Sequence, residues 1–233
     1  MTLLSYEHRR SQIENYFDRT AVQAWARLTS DAPVGRIRAT VRAGRDQMRA
    51  QLLSWLPDDL SDRRILDAGC GTGAFAIEAA RRGAHVLAID LSPTLVNLAR
   101  ERVPDDLGRG TIDFRSGDML DPQLGSFDHV VAMDSVIHYR AEHAIDAISR
   151  LAERTSGSIA FTFAPRTPLL AAMIAVGRLF PRSDRAPWLE PMAEDHLARL
   201  RSEDAVLQHW QPGRGGRISS GFYTSQAMEL TRA

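Results

Sequence analysis

The segment Asp67-Ala68-Gly69-Cys70-Gly71-Thr72-Gly73 restricts the fold of this chain more than any other. It continues the short apolar run Arg64-Ile65-Leu66, so a strand ends in an acid and passes into glycines at alternate positions. Glycine reaches steeply turned dihedrals and presents no side chain, which lets backbone approach a ligand closely. Ala74 to Arg82 then has a helical pattern closed by Gly83, and Ala84 to Ile89 is a second apolar run ending at Asp90. Strand, turn, helix and strand make a βαβ unit, which requires a right-handed crossover and a parallel sheet. The ligand crevice of such a sheet lies at the carboxyl ends of its strands.

The alternation continues. Ser92-Pro93 opens a helix, with Ser92 as N-cap and Pro93 in the first turn. Thr111 to Arg115 is a third strand ending at Gly117-Asp118, and Phe127 to Met133 is a fourth. A loop to Tyr139, a helix from Glu142 to Ala152 and a fifth strand, Ser158 to Phe163, follow. Ala164 to Pro191 breaks the rhythm with an apolar helix, Leu169 to Val176, and an arginine and proline stretch, and reads as an insertion covering the site. Ala193 to Leu200, Ala205 to Trp210 and Arg217 to Ser225 complete the sheet, the last two as a hairpin around Pro212-Gly213-Arg214-Gly215-Gly216. Ahead of the core, Tyr6 to Leu56 is helical and arginine-rich, two or three helices closed by Pro57-Asp58-Asp59. The chain thus divides into an arm or lid over 1–60 and a catalytic domain over 61–233, with 164–191 as the cover.

Composition removes several chemistries. All 29 basic residues are arginine, so Schiff-base catalysis and a Walker-type phosphate loop are excluded. They balance 29 acids, and a net charge of zero argues against a general nucleic-acid binder. Cys70 is the single cysteine, which leaves no internal disulfide and no thiolate metal set. A reducing cytoplasm is expected, with no membrane span, at most peripheral membrane contact, and no resident metal.

Two cofactors fit the glycine turn. Gly69, Gly71 and Ala74 satisfy Gly-x-Gly-x-x-Gly/Ala with Asp90 about twenty residues on, the dinucleotide pattern of a nicotinamide oxidoreductase. Three features point instead to S-adenosylmethionine: the acid Asp67 ahead of the glycines, suited to a cationic ligand; the third glycine at Gly73; and Gly117-Asp118 at the third strand end. In that reading Asp67 orients the methionine amino group, while Gly69 and Gly71 line the methionine and ribose. Asp90 accepts from the ribose hydroxyls, and Asp118 and Met119 hold the adenine. Leu91, Met133 and Cys70 complete the cofactor set, Cys70 as a small buried side chain without a nucleophilic role.

Longer runs carry a resemblance. Asp134-Ser135-Val136-Ile137-His138-Tyr139, Thr162-Phe163-Ala164-Pro165-Arg166-Thr167, Gly177-Arg178-Leu179-Phe180-Pro181 and Ile218-Ser219-Ser220-Gly221-Phe222-Tyr223 resemble the magnesium protoporphyrin IX methyltransferases of chlorophyll and bacteriochlorophyll synthesis. Tyr16-Phe17 with Trp25, and Arg42-Ala43-Gly44, resemble the same family. The resemblance implies an α/β, Rossmann-like class I methyltransferase fold, with a mostly parallel seven-stranded sheet and helices on both faces. It implies methyl transfer from S-adenosylmethionine to a propionate carboxylate of magnesium protoporphyrin IX, leaving S-adenosylhomocysteine. A non-catalytic tetrapyrrole carrier on the same fold is the alternative. The porphyrin-binding subunit of magnesium chelatase is an expected partner.

The resemblance further makes His138 a catalytic candidate that orients the propionate, and Tyr16 a second one on an arm folded over the cofactor. Tyr139 and Arg166, the latter beyond the fifth strand, are substrate-binding candidates. Arg38, Arg42, Arg45 and Arg49 recur at helical spacing on one face, which reads as a solvated stripe or as an anion-facing one.

Overall fold

A computed structural model describes Arg10, Ser11, Ile13, residues 35–168, Leu170 and residues 189–232. Helix α1 spans Arg36–Ser54. The glycine turn sits between β1 (Arg64–Ala68) and α2 (Ala74–Arg81). β2 (His85–Asp90), α3 (Pro93–Glu101), β3 (Thr111–Ser116) and β4 (Phe127–Ala132) follow. Next come α4 (Ala141–Ala152), β5 (Thr155–Phe163), α5 (Glu194–Glu203), β6 (Trp210–Ser220) and β7 (Tyr223–Arg232).

These strands form a seven-stranded sheet in the order β3-β2-β1-β4-β5-β7-β6. β1 to β5 pair parallel, and β7 runs antiparallel to both neighbours. An antiparallel strand inserted beside β5 separates this sheet from the all-parallel doubly wound order of dinucleotide-binding folds. The expected α/β class I architecture is the one observed.

Alternation along the strands builds two cores. Leu66 and Ala68 of β1, with Leu87 and Ile89 of β2, pack under α4 through Ile145, Ile148 and Leu151. Ile65, Val86 and Ala88 face the other side, against Phe75, Ala76, Ala79 and Ala80 of α2 and Met48, Leu52 and Leu53 of α1. Both faces of the central strands are therefore dry, as a parallel sheet requires. Among the described residues no helix is long and apolar enough to cross a membrane.

The Ser92 cap forms as expected, its hydroxyl accepting from Leu95 N at 3.2 Å with Pro93 at the first helical position. The end of the sheet is corrected: Ala193 to Leu200 is the N-cap and body of helix α5 and Ala205 to Trp210 holds a 3-10 turn that ends where β6 begins, so neither is a strand, and the expected hairpin lies further on. Its strands are β6 and β7 and its turn is Gly221-Phe222, whereas Pro212 to Gly216 lies inside β6 as an irregular stretch of ladder. The sheet edge tolerates a proline, and Gly221 at φ 57° closes a tighter turn than the longer glycine-rich run would. β5 also starts earlier than expected, at Thr155, and a 3-10 turn, Val136–His138, occupies the expected loop after β4.

Candidate active site

One pocket opens at the carboxyl ends of β1 to β4 and, with the solvent at its mouth, encloses about 680 Å³. Gly69 and Gly71, Ile89 to Leu91, Gly117 to Met119, and Met133 to Ser135 with His138 and Tyr139 supply its wall, joined by Leu95, Ile13 and Arg45. Successive strand ends thus converge, which is why residues far apart in the chain share one site.

The turn is folded back on β2 by two bonds, Gly69 N and Cys70 N both donating to Ile89 O at 2.8 and 3.0 Å. Gly69 holds φ 86°, and a Cβ there would collide with that of Ser135. Asp67 is 2% exposed and lies behind the pocket lining, with no hydrogen-bond partner for its Oδ2. Burial, reinforced by the Asp90 charge, raises its pKa to about 7 against a backbone N–H from Ala76 that pulls the other way. Asp90 is raised too, by burial, while N–H groups of Ser92, Gly71 and Leu91 oppose the shift. Its Oδ2 accepts from Gly71 N and its Oδ1 from Ser92 N, each at 2.9 Å. A carboxylate has about four acceptor positions, so these bonds orient Asp90 without exhausting it.

Asp118 accepts from Leu120 N and from the guanidinium of Arg10, each at 2.9 Å. An arm residue therefore reaches the third strand end. Met119 and Met133 are buried wall residues, and Leu91 is half-buried beside them. His138 is 5% exposed and Tyr139 3%, both on the pocket wall. Glu190 N donates to Ile137 O at 3.0 Å, which pins Glu190 against the turn that carries His138. Met192 N donates to Ala164 O at 2.8 Å and Arg166 N to Met192 O at 2.9 Å, bridging the chain after β5 to the stretch ahead of α5.

Two candidates stand elsewhere. The Arg166 side chain is exposed and is not among the residues that line the pocket, while its backbone N–H pairs with Met192. Cys70 turns into the core between sheet and α2 rather than into the pocket, and burial holds its thiol well above the usual range. Tyr16, Trp25 and the cover helix over 171–176 lie outside the described residues.

Asp134 was not singled out by its chemistry in the sequence, although an acid behind each strand was the visible signal and β4 has one too. It holds φ 54°, a left-handed conformation uncommon for a side-chain-bearing residue. Its carboxylate accepts from Tyr223 Oη at 3.1 Å, Thr162 Oγ1 at 3.2 Å and Ser225 Oγ at 3.4 Å, and pairs with Arg45 Nη1 at 2.9 Å. Arg45 therefore departs from the solvated stripe. Beside Asp134, the buried Ser135 Oγ has no partner.

The orphaned Asp67 and Ser135 oxygens and the glycine cradle fit a zwitterionic, hydroxyl-bearing cofactor such as S-adenosylmethionine. Among the described residues, no cluster of three or more His, Cys, Asp or Glu side chains is placed to hold a metal.

Comparison with known proteins agrees with this site. The family described as "Magnesium-protoporphyrin IX methyltransferase C-terminus" matches residues 132–232, and the general "Methyltransferase domain" matches residues 65–155. The magnesium-protoporphyrin O-methyltransferase of Rhodobacter capsulatus is 49% identical over 96% of this chain and 97% of its own. That of Synechocystis sp. is 29% identical over 95% of each. A crystal structure of magnesium protoporphyrin IX methyltransferase from Synechocystis PCC 6803 with bound SAH superposes with a TM-score of 0.83, at 28% identity, covering 96% of this chain and 99% of that one. With half of its residues shared along nearly the whole length of one relative, this chain belongs to the magnesium protoporphyrin IX methyltransferase family, among the class I S-adenosylmethionine-dependent enzymes.

Proposed function

We propose that this chain transfers a methyl group from S-adenosylmethionine to one propionate carboxylate of magnesium protoporphyrin IX, giving the monomethyl ester in chlorophyll or bacteriochlorophyll synthesis. The observation that carries it is the 49% identity to the Rhodobacter capsulatus methyltransferase across 96% of the chain. S-adenosylmethionine supplies, when bound, a methyl on a sulfonium that a carboxylate oxygen can take directly. The acceptor is ionised at neutral pH, so the chain needs no general base and its residues bind, orient and exclude water. Asp67 offers a buried carboxylate to an ammonium, Asp90 keeps acceptor capacity for ribose hydroxyls, and Met119 and Met133 provide apolar walls for a flat base. His138 holds a propionate oxygen by a hydrogen bond, a role supported by its place on the pocket wall past β4.

The same reading extends to a cytoplasmic location with at most peripheral membrane contact. It also extends to handover of the porphyrin from the porphyrin-binding subunit of magnesium chelatase, since a flat apolar macrocycle is poorly solvated between enzymes. The test is incubation with magnesium protoporphyrin and methyl-labelled S-adenosylmethionine, with free-base protoporphyrin alongside. Labelled monomethyl ester from the magnesium substrate is expected. Bound porphyrin without labelled ester would identify a carrier instead.

A further inference from the structure

The described residues that line the pocket bring three carboxylates to it, Asp90, Asp118 and Asp134; Arg45 is the guanidinium among them, while Arg10 reaches the rim to pair with Asp118. Both expected ligands carry a carboxylate, one at the amino-acid end of the cofactor and the others on the porphyrin propionates. An anion entering a partly dry site that faces acids is repelled unless a fixed cation meets it. Arg45 is built as such a cation. Its helix is immobilised by Met48 and Leu52, both fully buried, and its side chain is only 19% exposed.

The Arg45 guanidinium is also aimed. Asp134 meets Nη1 at 2.9 Å, and Asp134 is itself held by Tyr223 and Ser225 of β7 and by Thr162 of β5. Burial, with the Asp134 charge next, keeps the Tyr223 phenol protonated, so it donates to Asp134. Three hydroxyl donors share the Asp134 charge, which therefore does not rest on the guanidinium alone. An arginine has five donors in a planar fork whose geometry matches a carboxylate, so a guanidinium held on the pocket wall is suited to meet one. A left-handed, non-glycine residue spent on this hub is the kind of local strain that functional sites retain.

We propose that Arg45, oriented by Asp134, is the carboxylate-binding residue of the pocket. Among the arginines of the α1 stripe it alone lines the site, whereas Arg49 pairs with Asp46 on its own helix and Arg38 is exposed. The ligand carboxylate comes either from the amino-acid end of the cofactor or from a propionate, and two matched ligand pairs separate these sources. S-adenosylhomocysteine is compared with 5′-methylthioadenosine, which keeps the adenosine and thioether but lacks the amino-acid end. With S-adenosylhomocysteine present, magnesium protoporphyrin is compared with its dimethyl ester.

Calorimetric titration of the intact protein and its Arg45→Gln and Arg45→Lys variants is the experiment. In one pair, Arg45→Gln should weaken the carboxylate-bearing ligand by about ten- to a hundredfold and leave its carboxylate-free partner within about twofold, with Arg45→Lys recovering part of the loss. Equal weakening within both pairs would mark Arg45 as structural and overturn the proposal, as would unchanged binding of every ligand. Only the porphyrin pair rests on the function proposed above. If the wild-type protein binds S-adenosylhomocysteine but makes no ester, that function fails while the nucleoside pair still decides the role of Arg45.

Discussion

Gly44 of α1 lies against the ring of Tyr223, so close that a Cβ on the glycine would stand 2.8 Å from the Tyr223 Cγ. One hydrogen in place of a methyl thus lets the arm helix seat on β7, with Arg45 next to it reaching Asp134. Alanine is ordinarily the better helix residue by about 1 kcal/mol. Here Gly44→Ala should destabilise by about 1–3 kcal/mol in denaturant unfolding, because the helix or the ring must move. Stability equal to or above wild type would show that the contact is not tight.

Asp67 should make stability and cofactor binding depend on pH in opposite senses. Between its ordinary value of 3.8 and about 7, the folded protein keeps a proton that the unfolded chain releases. The unfolded state binds fewer protons there, so stability without ligand falls as pH rises across that window and then levels. An ammonium beside the ionised carboxylate reverses the preference, so S-adenosylhomocysteine affinity should climb as pH approaches about 7 and decline only at the higher pH where the ligand ammonium loses its proton. Asp67→Asn should flatten both profiles and weaken binding by about tenfold or more. Thermal melts and titrations at a series of pH values read both effects, and a pH-independent wild type would contradict them.

Gly69→Ala meets two obstacles at once. A left-handed dihedral costs an alanine about 1–2 kcal/mol, and its Cβ would strike Ser135 on the pocket wall. Loss of S-adenosylhomocysteine binding with a largely retained far-ultraviolet spectrum is the expected result. Normal affinity in this variant would mean that the turn does not touch the cofactor.

His138→Ala should separate chemistry from binding. A residue that aligns the propionate affects turnover, so kcat should fall by on the order of a hundredfold while S-adenosylhomocysteine affinity stays within about twofold. Steady-state assays with parallel calorimetry would measure the split, and an unchanged kcat would remove His138 from the reaction.

Much of this fold was legible in one dimension. The acid and alternating glycines after Leu66, and the apolar runs ending at Asp90 and Asp118, place β1, β2, β3 and the pocket rim, because strand alternation and turn chemistry act over a few residues. The hairpin was misplaced for a related reason: Pro212 to Gly216 carries stronger turn signals than Gly221-Phe222, yet edge-strand pairing to β7 absorbs it. Local propensity yields to the ladder that buries Tyr223, Ala227 and Leu230.

The glycine turn and the strand-end acids therefore determined by themselves a mostly parallel sheet with a ligand pocket at its strand ends, and the longer runs, by resemblance, pointed to a methyl donor. Tertiary structure alone decided which members of those patterns act together. Arg45 sits 89 residues from Asp134, and Asp134 in turn sits 89 residues from Tyr223, so their contact depends on α1 packing over β7 and on β7 inserting antiparallel beside β5. Spacing along a helix distinguishes one face from another but not which neighbour covers that face. Packing made that choice, turning Arg45 into the pocket and leaving Arg166 in solvent.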